Sequence, residues 1–282
     1  TVIGHAGVEL RPLAAASGAS TPPLALLLSI DRSFRAPNLD DLTGRQAVGP
    51  GFQFENARLR PESALSLELG ARLGLDLDGG RLDAEGWLFR AALTDGIARS
   101  QRDASDCPPA APACAASWYR YQLVNLPDQA VVLGGELSAR YDLGWLEAHA
   151  AIAWARGDGA NPQEPPRDPA LSYRERVPLS RVPPLNGSAE VRGRWRSARL
   201  AAGLRWATAQ DRLAPSDLGD PRIPTGGTPG FAVLDLRAGW HLGRRIQLSL
   251  VFENALDAAY RYHGSSINGP GRGLILSLEL TP

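Results

Sequence analysis

The chain has 282 residues, with 30 basic and 30 acidic side chains, so its formal net charge is +0. A balanced charge provides no long-range field that would recruit nucleic acid, and no nucleic-acid partner is expected. The longest apolar run, near residues 24–30, is far shorter than the roughly 18 apolar residues that a membrane-spanning helix needs.

Alternating apolar and polar residues predict long β-strands. In Glu62–Leu77, which reads ESALSLELGARLGLDL, every second residue from Leu65 to Leu77 is leucine or alanine, and Arg72 and Asp76 lie between them. This period of two gives one strand an apolar face and a charged face. The pattern recurs and predicts about eleven strands with no useful amphipathic helix between them. The predicted strands lie near residues 2–11, 24–33, 62–77, 81–96, 118–142, 144–156, 184–196, 198–207, 231–242, 245–254 and 272–280.

The connections between these strands alternate in length. Tight turns are predicted near residues 78–80, 142–144, 196–198 and 242–244. Long polar loops rich in Gly and Pro are predicted at residues 34–61, 97–117, 157–183, 208–230 and 255–271. Short turns on one rim and long loops on the other are typical of outer-membrane barrels. A soluble β-sandwich has no reason to keep that alternation in step.

Aromatic residues are predicted to form two belts around the apolar band. Those on apolar faces close to long loops are Trp154, Trp206 and Phe252, and those next to tight turns are Tyr141, Trp195 and Trp240. Aromatic girdles at both interfaces are a property of transmembrane barrels. The alternative, core aromatics of a soluble barrel, explains their burial but not their grouping at both strand ends.

The opposite strand faces are strongly charged. They carry Glu68, Arg72, Glu136, Arg140, Glu190, Arg192, Arg194, Arg205, Asp235, Arg237, Glu253 and Glu279. A desolvated core does not hold so many charges, whereas a watered or plugged lumen does, with cross-strand pairs of opposite sign. The predicted fold class is therefore all-β, an antiparallel transmembrane β-barrel of outer-membrane type. Because bacterial single-chain barrels use an even number of strands, about eleven strands are expected to be part of a larger barrel.

The two cysteines, Cys107 and Cys114, lie in the segment DCPPAAPAC. A local disulfide that closes a small loop in an oxidising compartment is the favoured interpretation. A metal-binding pair is the alternative, but no His or carboxylate cluster accompanies it, so no metal site is predicted.

Several segments carry a resemblance to a known family. Residues 33–42, SFRAPNLDDL, and residues 56–62, NARLRPE, resemble the "FRAP" and "NP-L-PE" boxes of TonB-dependent outer-membrane receptors. Residues 125–144 are similar to the family's Asn…Ala…Gly-x-Glu strand, and residues 181–195 and 219–240 resemble its late strands and the loop between them. Residues 252–280 are similar to its closing Asn-x-x-Asp-x-x-Tyr…Gly-x-Gly-Arg segment.

This resemblance implies a barrel of about 22 strands whose lumen is plugged. Residues 1–282 are expected to be the C-terminal portion of that barrel, and the N-terminal plug is not present in this chain. The implied function is uptake of a scarce nutrient across the outer membrane of a Gram-negative cell, and a ferric siderophore is the favoured nutrient. The implied partners are the lipid bilayer, a metal chelate or similar small molecule, and an inner-membrane TonB-type protein that energises transport through the plug. No cofactor is implied.

Two departures and two alternatives accompany the resemblance. The family's barrels commonly end on an aromatic residue, whereas this chain ends Leu280-Thr281-Pro282. Haem-receptor members carry a His between the first two boxes, and residues 38–55 contain none, which argues against haem. The alternative functions are a passive porin-type channel, which lacks a plug, and a surface-binding barrel that merely displays loops.

Candidate ligand contacts are sought in the long loops, because loops on a rigid scaffold carry binding more often than strands. His263 lies in the last loop, whereas His5, His149 and His241 fall on predicted strands and are interpreted as isolated polar side chains. Directly after the cysteine loop, aromatic residues and an arginine follow one another: Trp118, Tyr119, Arg120 and Tyr121. They are suited to gripping an aromatic or anionic chelate, and a rim girdle is the equally weighted alternative. No nucleophile, base and oxyanion donor come together, so no enzyme is predicted.

Overall fold

The computed structural model describes residues 4–11, 24–48, 51–109, 111–117, 119–166, 170, 172–243 and 245–280. Numbered in chain order, the strands are β1 (Gly4–Leu10), β2 (Leu24–Arg35), β3 (Gln46–Val48), β4 (Gly51–Phe54), β5 (Glu62–Leu77), β6 (Gly80–Thr94), β7 (Ile97–Gln101), β8 (Tyr119–Asn125), β9 (Ala130–Asp142), β10 (Leu146–Ala160), β11 (Arg176–Pro178), β12 (Asn186–Trp195), β13 (Ala198–Ala207), β14 (Phe231–Leu242), β15 (Ile246–Glu253) and β16 (Gly273–Leu280). The helical segments are α1 (Leu39–Thr43), α2 (Pro112–Ala116) and a 3₁₀ turn (Ala104–Asp106). In the described parts of the chain, no helix is long and apolar enough to span a membrane.

One antiparallel sheet, here called the wall, contains most of the strands. Its order is β1-β2-β5-β6-β9-β10-β12-β13-β14-β15-β16, and the short β11 pairs with β10. These are the eleven predicted strands, and the bounds of β5, β13 and β14 agree with the prediction at both ends. Tight hairpins join β5 to β6, β9 to β10, β12 to β13 and β14 to β15. The rim at these hairpins is called the turn rim, and the opposite rim is called the loop rim.

The predicted strand over residues 118–142 is wrong as a single element. It is two strands, β8 and β9, which belong to different sheets. The backbone turns at residues 126–129, where Pro127 follows Leu126. Proline has no N–H for a sheet ladder, so it interrupts the alternating pattern.

The register places the leucines of neighbouring strands on one face of the wall. Leu69 is opposite Leu28 on β2 and opposite Leu88 on β6. Leu88 and Leu274 are 64% and 68% exposed, and Leu204 and Leu236 are 36% and 39% exposed. The predicted apolar face is therefore confirmed, and these leucines do not lie between two packed sheets. A contiguous apolar face of this kind marks contact with a membrane or another protein.

The aromatic residues of the two predicted belts lie on this apolar face. Tyr141 is opposite Leu82, Trp206 is opposite Ala232, and Trp240 is opposite Leu248. The same alternation puts the remaining members, Trp154, Trp195 and Phe252, on this face. The predicted placement of the belts at both ends of the apolar band is confirmed.

The other face of the wall carries ion pairs, as predicted. Arg72 on β5 is opposite Glu85 on β6, with Nε 3.1 Å from the carboxylate. Four further arginines predicted to share this face pair with acids there: Arg140 with Glu147, Arg192 and Arg237 with Glu190, and Arg205 with Asp235. Arg194, also predicted on this face, has no ion pair among the described residues. The pair from Arg237 to Glu190 spans β13 at Gly203, where a side chain would contact both charged groups.

A second sheet, called the loop sheet, lies in the first two long loops. Its order is β3-β4-β8-β7, and β4 and β8 run parallel. Side chains fasten it to its surroundings, since Asn56 Nδ2 donates to the Leu123 carbonyl and Gln122 Nε2 donates to the Glu55 carbonyl. The sequence patterns predicted irregular loops over β3, β4 and β7 and assigned β8 to a wall strand, so the loop sheet is a structural finding.

Most of the buried apolar residues do not belong to the apolar face of the wall. They lie near the loop rim, in the long connections and at the strand ends. Leu126, Ala130 and Ala160 form a buried cluster, and Leu93 and Leu179 pack against it. We call the long connections and the loop sheet together the loop cap, which comprises the described residues within 36–61, 95–129, 161–185, 208–230 and 254–272. The buried cluster therefore joins the cap to the loop-rim ends of β6, β9 and β10, whereas the rest of the wall exposes its leucines.

The two ends of the wall do not pair with each other. Within the described residues, β1 pairs only with β2, and β16 pairs only with β15. The wall is therefore an open sheet with two edges, and each edge has backbone groups that need a partner.

Candidate functional site

A cavity of about 670 Å³ lies between the charged face of the wall and the loop cap. Its volume falls within the range of small-molecule sites. Strands β6, β9 and β13 contribute Trp87, Glu136 and Arg205, and three long loops contribute residues such as Arg181, Thr228 and His263. We call this space the rim cavity.

The last loop is anchored by Asn254, which is only 1% exposed. Its backbone N–H donates to Asp235 Oδ1 on β14 at 2.9 Å. Its side-chain Nδ2 donates to the carbonyls of Ala258 and Pro270, and its Oδ1 accepts from Ala258 N–H. The backbone of Asn254 has φ 44°, a left-handed conformation that asparagine tolerates better than most residues. The backbone of Asn254 thus ties the loop to the wall, and its side chain ties the two ends of the loop to each other.

Three rings form the base of the same loop. Phe231 lies 5.2 Å, between ring centroids, from both Tyr260 and Tyr262, and the two tyrosines are 6.0 Å apart. A side chain at Gly269 would overlap the Tyr260 ring, so this close approach requires glycine. The cluster positions the chain that leads from Tyr260 to His263.

His263 faces the rim cavity, as its predicted loop position allows. Its Nδ1 lies 2.9 Å from Thr228 Oγ1, which joins the last loop to the loop between β13 and β14. Burial lowers the pKa of His263 below its ordinary value, and nearby Arg181 lowers it further, although Asp217 and Asp220 oppose both effects. The imidazole is therefore neutral at neutral pH.

Three arginines also line the rim cavity. Arg181 pairs with Asp220 at 3.1 Å, and Arg205 pairs with Asp235 at 3.2 Å. Arg261 has no carboxylate partner among the described residues, and its Nε donates to Asn268 Oδ1 at 2.7 Å. The Nε atom of Arg205 is buried and has no hydrogen-bond partner in the described part of the chain.

The chemistry of the rim cavity suits an anionic group beside an aromatic one. Arginine forks bind carboxylates and other planar anions, and Trp87 and Tyr262 offer ring surfaces in the same space. Two carboxylates, Glu85 and Glu136, also line it, so the cavity is mixed in charge. Across the described residues, no group of three or more His, Cys, Asp or Glu side chains is arranged to hold a metal ion.

The second set of predicted ligand contacts lies in the loop sheet, away from the rim cavity. Trp118 lies outside the described residues. Tyr121 is 3% exposed, its hydroxyl donates to Gln53 Oε1 at 3.0 Å, and its ring contacts Arg99. Arg120 donates to the Cys114 and Ala115 carbonyls, at the end of α2. Tyr119 is half-buried and stacks on Tyr121, and burial raises its pKa. Ligand contact by these residues stays a prediction.

The structure joins Cys107 and Cys114 in a disulfide, with their Cα atoms 5.8 Å apart. The bridge closes a short loop that includes the 3₁₀ C-cap and the first three residues of α2. Because Arg120 donates to the Cys114 carbonyl, the bridged loop also braces the start of β8.

Most residues of the rim cavity were not predicted from the sequence. His263 was predicted as a loop residue and Arg205 as a residue of the charged face, but neither was connected with Arg181, Arg261 or Tyr262. The closing motif contained a usable signal, because Arg261 and Tyr262 lie directly before His263. No local signal indicates Arg181, which joins the site only through the fold.

Comparisons with known proteins agree with this architecture. A family model described as "TonB dependent receptor-like, beta-barrel" matches residues 15–255. No curated protein matches the chain. Similar solved structures include the copper transporter OprC, with 20% identity and a TM-score of 0.68 over 99% of this chain and 39% of that chain.

Two further structures have similar values. The hemophore receptor HasR of Serratia marcescens, solved with its hemophore HasA and heme, has 20% identity and a TM-score of 0.69 over 98% of this chain and 39% of that chain. The FrpB iron transporter of Neisseria meningitidis has 18% identity and a TM-score of 0.65 over 98% of this chain and 38% of that chain. This chain thus spans about two fifths of the length of these proteins. The family match covers most of the chain, and we conclude that this outer-membrane protein belongs to the TonB-dependent receptor β-barrel family.

Proposed function

We propose that this chain forms the C-terminal part of a plugged barrel that takes up a ferric siderophore with energy from a TonB-type inner-membrane partner. The observation that carries the proposal is the rim cavity, where Arg181, Arg205, Arg261 and Tyr262 meet below three loops. Siderophores and their iron complexes present anionic oxygens, often on aromatic rings, and this lining is complementary to both features.

The open wall supports the larger assembly. Lipid offers no hydrogen bonds to the edges of β1 and β16, so both edges need further strands before the wall is stable in a bilayer. A barrel that is widened in this way needs an obstruction to prevent free leakage. In the proposal, the plug provides the obstruction, and its movement by the energised partner opens the route.

Uptake by cells that carry the full-length receptor tests the energy requirement. The probes are one ferric hydroxamate and one ferric catecholate, both labelled with radioactive iron, in otherwise matched cells with and without the TonB-type protein. We expect uptake of at least one probe, and loss of that uptake without the partner. Equal uptake in both cells would favour a passive channel, and uptake of neither probe would contradict the siderophore assignment.

A substitution in the rim cavity tests the site. Arg261→Gln should weaken binding of the transported chelate by roughly tenfold or more, because a charge-assisted hydrogen bond contributes about 1.5–3 kcal/mol. Arg245→Gln is the matched control, since Arg245 is exposed beside the hairpin between β14 and β15, at the turn rim. Equal affinity of the two variants would exclude Arg261 from the ligand site.

A further inference from the structure

Three arginines lie on the apolar, lipid-facing side of the wall. Arg90 on β6 and Arg156 on β10 are both opposite Leu133 on β9, so they occupy one register row with a leucine between them. Arg32 on β2 is opposite Leu65 on β5, and Leu67 on the same strand is opposite Arg90. Because side chains alternate along a strand, all three arginines project from the face that carries the leucines.

The depth of these arginines corresponds to the edge of the bilayer. Arg90 and Arg156 are each the eleventh residue of their strands, counted from the turn rim. A membrane-spanning strand needs about 9–11 residues. Arg156 also occupies the next outward position after the belt residue Trp154, about 7 Å further along the strand. Short turns face the periplasm and long loops face the outside, so the arginines lie at the level of the outer-leaflet headgroups.

The positive charge in this region is only partly neutralised. Neither Arg32 nor Arg90 has a hydrogen bond or an ion pair within the described residues. Arg156 Nε contacts Asp158 Oδ2 at 3.3 Å, but Asp158 also accepts from Arg212 Nη2 at 2.7 Å. The three arginines therefore leave uncompensated positive charge on a surface that lipid covers.

The other half of the wall lacks this feature. Along the described parts of β12 to β16, the outward positions carry apolar or small residues without charge. There the belt at the loop rim is formed by Trp206 and Phe252. The arginines are thus confined to one sector, and a general need of barrel rims for positive charge does not explain them.

We propose that Arg32, Arg90 and Arg156 bind the phosphate groups of an outer-leaflet glycolipid of the lipopolysaccharide type. The Cα atoms of Arg90 and Arg156 are separated by two strand spacings, about 10 Å, which two arginine side chains can span around one phosphate. Arginine forks bind phosphate bidentately. The acyl chains of the same lipid cover Leu67 and Leu133, which lie between the arginines.

Lipid retention by the purified full-length receptor tests this site. The probe is lipid A carrying two phosphates, titrated into receptor in zwitterionic detergent, with dephosphorylated lipid A and inorganic phosphate as parallel arms. Arg90→Gln should weaken binding of phosphorylated lipid A by about fivefold, and the double variant Arg32→Gln with Arg90→Gln by about 25-fold. The conservative variant Arg90→Lys should retain most of the affinity.

The matched control is Arg199→Gln, because Arg199 is exposed and has no ion pair in the described residues but projects from the charged face of the wall. It should not change lipid A affinity.

The heat-shifted gel mobility of folded barrels confirms that each variant is folded before it is compared. The proposal is overturned if the double variant binds phosphorylated lipid A as the native receptor does, if Arg199→Gln weakens binding equally, or if inorganic phosphate competes as well as the lipid. It is also overturned if removing the lipid phosphates leaves the difference between variants unchanged, because the contact would then be apolar. None of these outcomes depends on which nutrient the receptor transports.

Discussion

In the wall, Leu88 and Leu274 are 64% and 68% exposed, whereas in the loop cap Tyr121 and Tyr260 are 3% and 8% exposed. The wall directs its apolar side chains away from the protein and relies on lipid to cover them. The cap folds against itself and the loop rim, as a water-soluble domain does, with buried rings, hydrogen-bonded amides and a disulfide. Apolar side chains are therefore covered by lipid in the wall and buried in protein in the cap. The same type of substitution should have different consequences in the two regions.

The largest difference is expected from placing a charge on an exposed leucine. Leu204→Arg in β13 should destabilise the receptor by about 2–4 kcal/mol, because the arginine enters the lipid-facing band near the bilayer midplane. The same change at Leu218 in the cap, which is 75% exposed, should cost less than about 0.5 kcal/mol, because that position faces water. Reversible unfolding of both variants in lipid vesicles measures the difference. Similar values would show that the apolar face does not contact lipid.

This contrast also explains how much the sequence revealed. The strands of the wall were predictable because lipid on one side and charge on the other impose a strict period of two, as in Glu62–Leu77. The loop sheet was not, because its parallel pair of β4 and β8 joins segments that are distant in sequence. The alternating pattern included β8 only as part of the predicted strand over residues 118–142. No periodic signal marks β3, β4 and β7, because they have no face that lipid must cover.

The second difference concerns the disulfide. Replacing both Cys107 and Cys114 by serine should destabilise their loop by about 2–3 kcal/mol, because the bridge reduces the conformational freedom of the unfolded loop. The wall should keep its unfolding free energy, since no strand of the wall carries either cysteine. Limited proteolysis reports opening of the loop, and vesicle unfolding reports the wall. Loss of wall stability in this variant would contradict the separation of the two regions.

The third difference concerns Asn254, where the cap is fastened to the wall. Asn254→Ala should destabilise the last loop by about 1–3 kcal/mol, because buried carbonyl and N–H groups lose their partners. Asn268→Ala in the same loop is the control, since Asn268 is exposed and its side chain hydrogen-bonds only to Arg261 among the described residues. Hydrogen exchange over residues 254–272 should accelerate strongly in the first variant and little in the second. Equal exchange rates in the two variants would show that Asn254 does not anchor the last loop.

In the site, as in the loop sheet, contacts between segments that are distant in sequence were not predicted. His263 was identified because it lies in a loop next to a recognisable motif, and Asn254 and Tyr260 belong to that motif. Arg181 enters the rim cavity from a different loop and pairs with Asp220 of a third loop. Residues of three loops meet only when the cap is folded. Neither the periodicity of the strands nor the spacing of a motif predicts that they meet.

The smallest expected effect is that of pH on the stability of the last loop. Burial holds the pKa of His263 below the ordinary value of about 6.5. The unfolded loop therefore takes up its proton first, and the contact with Thr228 should be complete above about pH 6.5 and weaken as the pH falls below it. Hydrogen exchange of the last loop should accelerate as the pH falls below this value, and His263→Gln should abolish the dependence. An unchanged pH dependence in His263→Gln would assign it to another group.

The most direct test of the membrane-spanning wall is site-by-site labelling of β13 in the full-length receptor in vesicles. Single spin labels at Leu200, Ala202 and Leu204, on the apolar face, should be relaxed by a lipid-soluble reagent and shielded from a water-soluble one. Labels at Ala201 and Gly203, on the charged face, should show the reverse, or should be shielded from both reagents by the proposed plug. A membrane-spanning wall predicts this alternation with a period of two. Labels at Leu200 and Leu204 that are open to the water-soluble reagent, or equal accessibility on both faces, would contradict it.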